Sequence, residues 1–112
     1  MSDNLTDKRK FDDIASKILF ENERVRIWEL RLPAGSEGPL HQHLLDHILI
    51  QISGDRIAVV PEPDTQSPWK DYLEADVVPG HVNFIPRGGI ERARNVGQKE
   101  FHEIIVELKE RK

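Results

Sequence analysis

The chain has 112 residues, enough for one domain with one hydrophobic core. Its 38% apolar and 32% charged residues are typical of a globular protein and exclude a disordered one. Cysteine is absent, so disulfides and thiolate metal sites are excluded, and a bound metal must be held by nitrogen and oxygen. The net charge of −4, with Lys and Arg scattered among acids, argues against nucleic-acid binding. No apolar run is long enough to span a membrane, and residues 1–15 lack an apolar signal segment, so we predict a cytoplasmic protein.

The chain begins with apolar side chains at helical spacing within residues 7–19, namely Phe11, Ile14, Ala15 and Ile18. This spacing predicts a short N-terminal helix or a packed arm, which we assign to residues 1–17. Beyond it, short apolar and β-branched stretches recur about every ten residues, at 18–20, 24–32, 47–53, 56–60, 69–73, 82–85, 90–96 and 101–108. Glycine and proline turn signals separate them, and three prolines within residues 61–68 predict an irregular loop. The pattern is typical of an all-β sandwich or barrel, formed as one domain by residues 18–112.

Two motifs with defined spacing narrow the choice among all-β folds. The first runs from Gly35 through five residues to His41-Gln42-His43, then three residues to His47 and six to Gly54. The second has five residues between Gly80 and Pro86, two between Gly88 and Glu91, and three between Glu91 and Asn95. Both sets of spacings resemble the motifs of the cupin superfamily, which has glutamate at the position of His47 and histidine at the position of Glu91. The resemblance implies the cupin double-stranded β-barrel, jelly-roll-like in form, over about residues 18–109.

The resemblance also implies a metal site. Carried over by position, the ligands are His41, His43, His47 and Glu91, so the chain keeps three imidazoles and one carboxylate but exchanges two of their places. Alternate residues of a strand project to one face, so His41 and His43 can converge on one point. Such a set suits a divalent transition metal, whether Fe, Mn, Ni, Zn or Cu, without choosing among them. Two alternatives stay open, in which Glu91 acts as a base instead of a ligand, or the barrel has lost its metal as some cupins have.

Two polar residues are candidates for substrate binding. If His47 points into the barrel, Gln51 shares its face and orients a substrate, or it is simply a satisfied interior amide. His102, on the last predicted strand, is either a substrate group near the metal or an ordinary strand-end residue.

The same alternation turns Ile48, Ile50 and Ile52 outward as an apolar stripe that something must cover. The N-terminal arm or a second subunit can do so. Because cupins commonly form dimers through such sheet faces, we predict a homodimer.

For function, the resemblance implies a small metal-dependent enzyme, such as a dioxygenase or isomerase acting on a small organic acid or a diketone-like substrate. The alternative is a non-catalytic cupin that binds a small molecule, with a structural metal or none, since the fold by itself does not assign an enzyme. The interior of the barrel distinguishes them, because an enzyme needs open metal positions and polar groups in its wall.

Overall fold

The computed structural model describes residues 8–110. In that part of the chain, the regular structure is made of β-strands alone, which confirms the all-β prediction. The strands are β1(Lys17–Glu21), β2(Val25–Leu32), β3(His41–Gln42), β4(His47–Ser53), β5(Arg56–Pro61), β6(Leu73–Asp76), β7(Val82–Ile85), β8(Ile90–Asn95) and β9(Phe101–Leu108). Residues 8–110 contain no helix that would be long and apolar enough to cross a membrane.

The strands form two antiparallel sheets. The larger has the order β1-β2-β9-β4-β7 and the smaller has the order β3-β8-β5-β6. Side chains from both sheets pack together in the interior, since Ile57 of β5 and Ala93 of β8 contact the core cluster built on β2 and β9. The sheets therefore enclose one core, as in a jelly-roll barrel.

Alternation along the strands sets which side chains face that interior. In β9 every second residue from Phe101 to Glu107 is buried, and the residues between them are half-buried. In β4, His47 and Gln51 are buried while Ile52 is exposed, so the predicted phase of this strand is confirmed. The larger sheet thus carries its inward side chains over the core and an apolar row on its other face.

The N-terminal segment is a packed arm. Residues 8–16 contain no helix, so the helical alternative is wrong for them, and Asp7 lies outside the described residues. The Asp12 N–H donates to the Leu40 carbonyl at 2.9 Å, and the Ser16 N–H donates to the Glu29 carbonyl at 2.9 Å. Ile14 is 8% exposed and packs in the core cluster. The backbone bonds to distant segments replace the bonds that a helix would make within itself.

The predicted strands differ from the observed ones mainly in the smaller sheet. β4, β7 and β9 have the predicted bounds, whereas β3 is only two residues long and was not predicted. The strand expected at residues 69–73 instead runs over Leu73–Asp76 as β6. β6 is an edge strand with three exposed residues, and so it lacks the apolar alternation by which strands are predicted.

Candidate metal centre

Three of the predicted ligands come together at one point. β3 pairs with β8 so that His41 and Glu91 are direct Cα partners, and His43 follows β3 immediately. The Nε2 atoms of His41 and His43 are 3.1 Å apart. The Glu91 Oε2 atom lies 3.9 Å from Nε2 of His41 and 3.6 Å from Nε2 of His43. All three residues are buried, and one ligand atom from each lies within 4.8 Å of the others.

The turn between β7 and β8 holds this group in place. The His43 N–H donates to the Gly89 carbonyl and the Gly88 N–H donates to the His43 carbonyl, both at 2.8 Å. Gly88 has φ +112°, and a Cβ there would lie 2.7 Å from the Gln66 Cβ. A Cβ on Gly89 would lie 3.3 Å from Oε1 of Glu91 and 3.5 Å from Cδ2 of His43. Gly88 therefore lets the turn pass close to Gln66, and Gly89 leaves room for the carboxylate and the histidine ring.

Hydrogen bonds fix two of the imidazole tautomers. Nδ1 of His41 lies 3.1 Å from the Pro39 carbonyl, and Nδ1 of His47 lies 3.0 Å from the Leu45 carbonyl. Because a carbonyl oxygen only accepts, each Nδ1 must carry the proton, and each Nε2 keeps its lone pair. This arrangement is typical of metal-binding histidines, whose second nitrogen donates to a backbone carbonyl or carboxylate.

The group fits a divalent transition metal. Nitrogen and oxygen ligands lie about 2.0–2.2 Å from such an ion. When two of them subtend an angle of about 90–110° at the ion, they are about 3–3.5 Å apart. The Nε2 atoms of His41 and His43 have a separation in this range. Nδ1 of His43 and Oε1 of Glu91 are buried without a hydrogen-bond partner in the part of the chain that the structure describes. Burial lowers the pKa of His41 and of His43 to about 4, so both imidazoles are neutral and able to bind metal near pH 7. Burial raises the pKa of Glu91, and a cation would offset that cost.

His47 lies beside this group and not within it. Its ring stacks on the ring of His43, with centroids 4.0 Å apart and planes 14° apart. The cluster of ligand atoms comprises His41, His43 and Glu91 alone among the described residues. Burial lowers the pKa of His47 to about 4, so its imidazole is also neutral near pH 7. The structure thus brings together three of the four predicted ligands, and His47 as a fourth ligand stays a prediction.

A cavity of about 200 Å³ opens beside the three ligands. Gln51 lies in its wall, as its predicted inward phase requires, and its Oε1 accepts the Val78 N–H at 2.8 Å. Most of the wall is apolar, and its charged or polar members are His41, His43, Gln51, Asp76, His81, Asn83, Glu91 and Glu103. The metal group is therefore one polar part of a largely apolar chamber.

His102 does not reach this chamber, which corrects its prediction as a substrate-binding residue. Its Nε2 lies 2.9 Å from Oε1 of Glu29, and the two residues form an ion pair if the imidazole is protonated. In β9 the cavity is lined by Phe101, Glu103 and Ile105, so strand alternation turns His102 to the opposite face.

Glu103 is the site residue that the sequence reasoning missed. It is 8% exposed and lines the cavity. Burial and the nearby charge of Glu91 raise the pKa of the Glu103 carboxyl to about 8. Its phase in β9, shared with Phe101 and Ile105, could not have found it, because the opposite face of this strand is at least as apolar.

Solved structures agree with this architecture. A cupin domain from Bordetella pertussis Tohama I matches it with a TM-score of 0.72 and 22% identity, over 91% of this chain and 99% of that one. The chain has the cupin fold. An RmlC-like cupin with a double-stranded β-helix fold from Methanocaldococcus jannaschii matches with a TM-score of 0.64 and 18% identity, over 89% and 87% of the two chains. The resemblance read from the two motifs is thereby confirmed as to fold.

Two plant proteins are similar in sequence to this chain. Auxin-binding protein 1 of Arabidopsis thaliana is 22% identical over 93 residues, which are 83% of this chain and 46% of that protein. Auxin-binding protein T85 of Nicotiana tabacum is 23% identical over 94 residues, which are 83% of this chain and 50% of that protein. The chain therefore spans about half the length of these relatives. No family model matches it.

Proposed function

We propose that this cupin binds a divalent transition metal through His41, His43 and Glu91, and that the metal binds the oxygen of a small organic acid held in the adjoining cavity. The observation that carries the proposal is the buried cluster of two imidazoles and one carboxylate in the cavity wall. Fe, Mn, Ni, Zn and Cu all accept these ligands. A bound metal would supply Lewis-acid chemistry and positions open to the ligand.

The charge of the metal group favours an anionic ligand. Within residues 8–110, none of the side chains that line the cavity is a lysine or an arginine. A divalent ion with neutral His41 and His43 and ionised Glu91 leaves one positive charge, which a single carboxylate on the ligand would neutralise. The apolar remainder of the wall favours an apolar ligand body.

A dioxygenase is the second candidate function. Two histidines and one carboxylate with open coordination positions are typical of non-haem iron oxygenases, and His41, His43 and Glu91 provide that combination. The competing view is a binding protein without catalysis, and the two plant relatives are named as auxin-binding proteins. Oxygen consumption by the iron-loaded protein, measured over a panel of small organic acids, separates the two.

The metal site is tested by elemental analysis of the purified protein after incubation with each candidate metal and removal of the excess. About one metal per chain is expected for the natural sequence and for the control variant His102→Ala, whose histidine lies on the other face of β9. His43→Ala and Glu91→Ala are expected to lose most of the metal while keeping the β-sheet circular dichroism spectrum. Equal metal content in all four proteins would refute the assignment of these ligands.

We also propose a homodimer formed through the outer face of the larger sheet. The described part of the arm packs on the inner face through Ile14, so it does not cover the outer one. Direct cross-strand partners form an apolar row over all five strands of that sheet, comprising Phe20, Ile27, Val106, Ile48 and Phe84. The two ends of this row are Phe20, 52% exposed, and Phe84, 59% exposed. A second copy would bury the same row against itself, as twofold interfaces do.

The cytoplasmic location predicted from composition is likewise a proposal.

A further inference from the structure

The carboxyl of Glu103 lies in the cavity wall. Its residue is 8% exposed, and among the residues that the structure describes no hydrogen bond or ion pair reaches its side chain. Its oxygens are not among the enclosed side-chain atoms that lack a partner, which are Nδ1 of His43 and Oε1 of Glu91, so they face the space of the cavity. A ligand in the cavity can therefore bond to this carboxyl.

Gln51 adds a second unused group next to it. Gln51 and Glu103 are direct Cα partners on the adjacent strands β4 and β9, and both side chains line the cavity. The Oε1 atom of Gln51 already accepts the Val78 N–H, whereas its Nε2 donates to no residue within 8–110. The amide can therefore still donate two hydrogen bonds at the wall where Glu103 lies.

This polar pair lies on a different sheet from the metal group. β4 and β9 belong to the five-stranded sheet, whereas β3 and β8, which carry His41 and Glu91, belong to the four-stranded sheet. Apolar side chains such as Ile57 and Ile105 line the cavity as well. The cavity thus has the polar pair on one sheet, the metal group on the other, and apolar side chains in the rest of its wall.

We propose that Glu103 and Gln51 hydrogen-bond the end of the ligand that lies away from the metal, and so select a monocyclic acid with an uncharged hydroxyl or carbonyl oxygen on its far side. The inference rests on the proposed function, because the acid group of the ligand is assigned to the metal. An apolar cavity of about 150 Å³ accepts benzene in another protein. The cavity of about 200 Å³ found here therefore accommodates one six-membered ring with short substituents.

The protonation of Glu103 explains why the far oxygen is uncharged. In the metal-free protein the pKa of this carboxyl is raised to about 8, first by burial and then by the charge of Glu91, so the carboxyl keeps its proton near pH 7 and can donate its O–H. A second anionic group on the ligand would lie in a cavity that already holds Glu91 and offers no lysine or arginine among the described residues. A hydroxyl or carbonyl oxygen accepts the O–H without adding charge.

The test compares three probes by isothermal titration calorimetry of the zinc-loaded protein: benzoate, 3-hydroxybenzoate and 4-hydroxybenzoate. At least one hydroxylated probe is expected to bind about tenfold more tightly than benzoate, the size of one good net hydrogen bond. In Glu103→Leu the three probes are expected to bind within about twofold of one another. In Glu103→Gln part of the preference is expected to remain, because the amide still donates, and a purely structural role would not produce this graded result.

The outcomes separate this inference from the function on which it rests. If benzoate binds but neither hydroxylated probe binds more tightly, the role of Glu103 and Gln51 is refuted and the metal-dependent acid site stands. If none of the probes binds although zinc is present at about one ion per chain, both are refuted. If Glu103→Leu does not fold, Gln51→Leu replaces it and is expected to weaken the preference for the hydroxylated probe.

Discussion

Replacing Glu103 by glutamine tests the energetics of this cavity without any ligand. The folded protein raises the pKa of Glu103 from an ordinary 4.5 to about 8. Between these two values the unfolded chain has released the proton while the folded chain holds it, so the free energy of unfolding falls as pH rises. Below pH 4.5 the contribution is fully present, and at about pH 8 it has been lost. The neutral amide of glutamine has no such dependence.

Comparison of the two proteins from pH 6.5 to 8 isolates this effect. His41, His43 and His47 have folded pKa values lowered from 6.5 to about 4, so the unfolded chain still holds part of their protons near pH 6.5, and they give an opposite slope that both proteins share. One pKa unit corresponds to about 1.4 kcal/mol, so over the remaining 1.5 units or so the contribution of Glu103 falls by about 2 kcal/mol. In Glu103→Gln this fall should be absent, so the free energy of unfolding of the variant should rise by about 2 kcal/mol relative to that of the natural sequence.

The assay is urea denaturation of metal-free protein at half-unit steps of pH, with the chelator retained in the buffer. The control is Glu100→Gln, since the Glu100 side chain is 52% exposed and lies next to β9. The control should follow the natural sequence, and only Glu103→Gln should become relatively more stable toward pH 8. Parallel curves for Glu103→Gln and the natural sequence would show that this carboxyl ionises normally in the folded state.

Three further variants test the site and the assembly. Gly89→Ala places a Cβ 3.3 Å from the carboxylate ligand and should weaken metal binding about tenfold to a hundredfold in a competitive chelator titration. Gly38→Ala meets only ordinary contacts at 3.6 Å and should bind metal normally, so equal losses would contradict the reasoning. Phe84→Glu should yield a monomer mass in sedimentation at micromolar concentration. The control Leu44→Glu should leave the dimer intact, because Leu44 is 68% exposed in the turn after β3. If the natural sequence itself sediments as a monomer, the dimer is refuted. His47→Ala should weaken metal binding measurably if it completes the ligand set, and an unchanged dissociation constant would exclude it.

The fold could be predicted because its signals are local. The four glycines of the two motifs, at positions 35, 54, 80 and 88, are the ones with positive φ among the described residues, so motif spacing reports turn geometry directly. His41 and His43 do come together as expected, although the strand assumed to carry both of them ends at Gln42. A strand of two residues has no period by which it could be predicted from the sequence.

The site was harder to predict because β9 is apolar on both faces. Ile105 faces the cavity while Ile104 and Val106 face outward, so hydrophobic alternation does not tell which face is the inner one. As a result His102 was placed near the metal and Glu103 was overlooked. The ring orientation of a buried histidine is also invisible in a sequence, so the motif could not show that the ring of His47 stacks on that of His43, and His47 as a ligand stays a prediction.

The two backbone hydrogen bonds between His43 and the turn at Gly88 and Gly89 have a thermodynamic consequence for the whole chain. The histidine and carboxylate ligands that they bring together lie about fifty residues apart in the sequence, so a bound ion would tie one sheet edge to a distant segment as a reversible cross-link. An ion that binds only the folded protein adds stability in proportion to the logarithm of its free concentration, about 2.7 kcal/mol at a hundred times the dissociation constant. The melting temperature of this barrel would then report the free metal concentration around it.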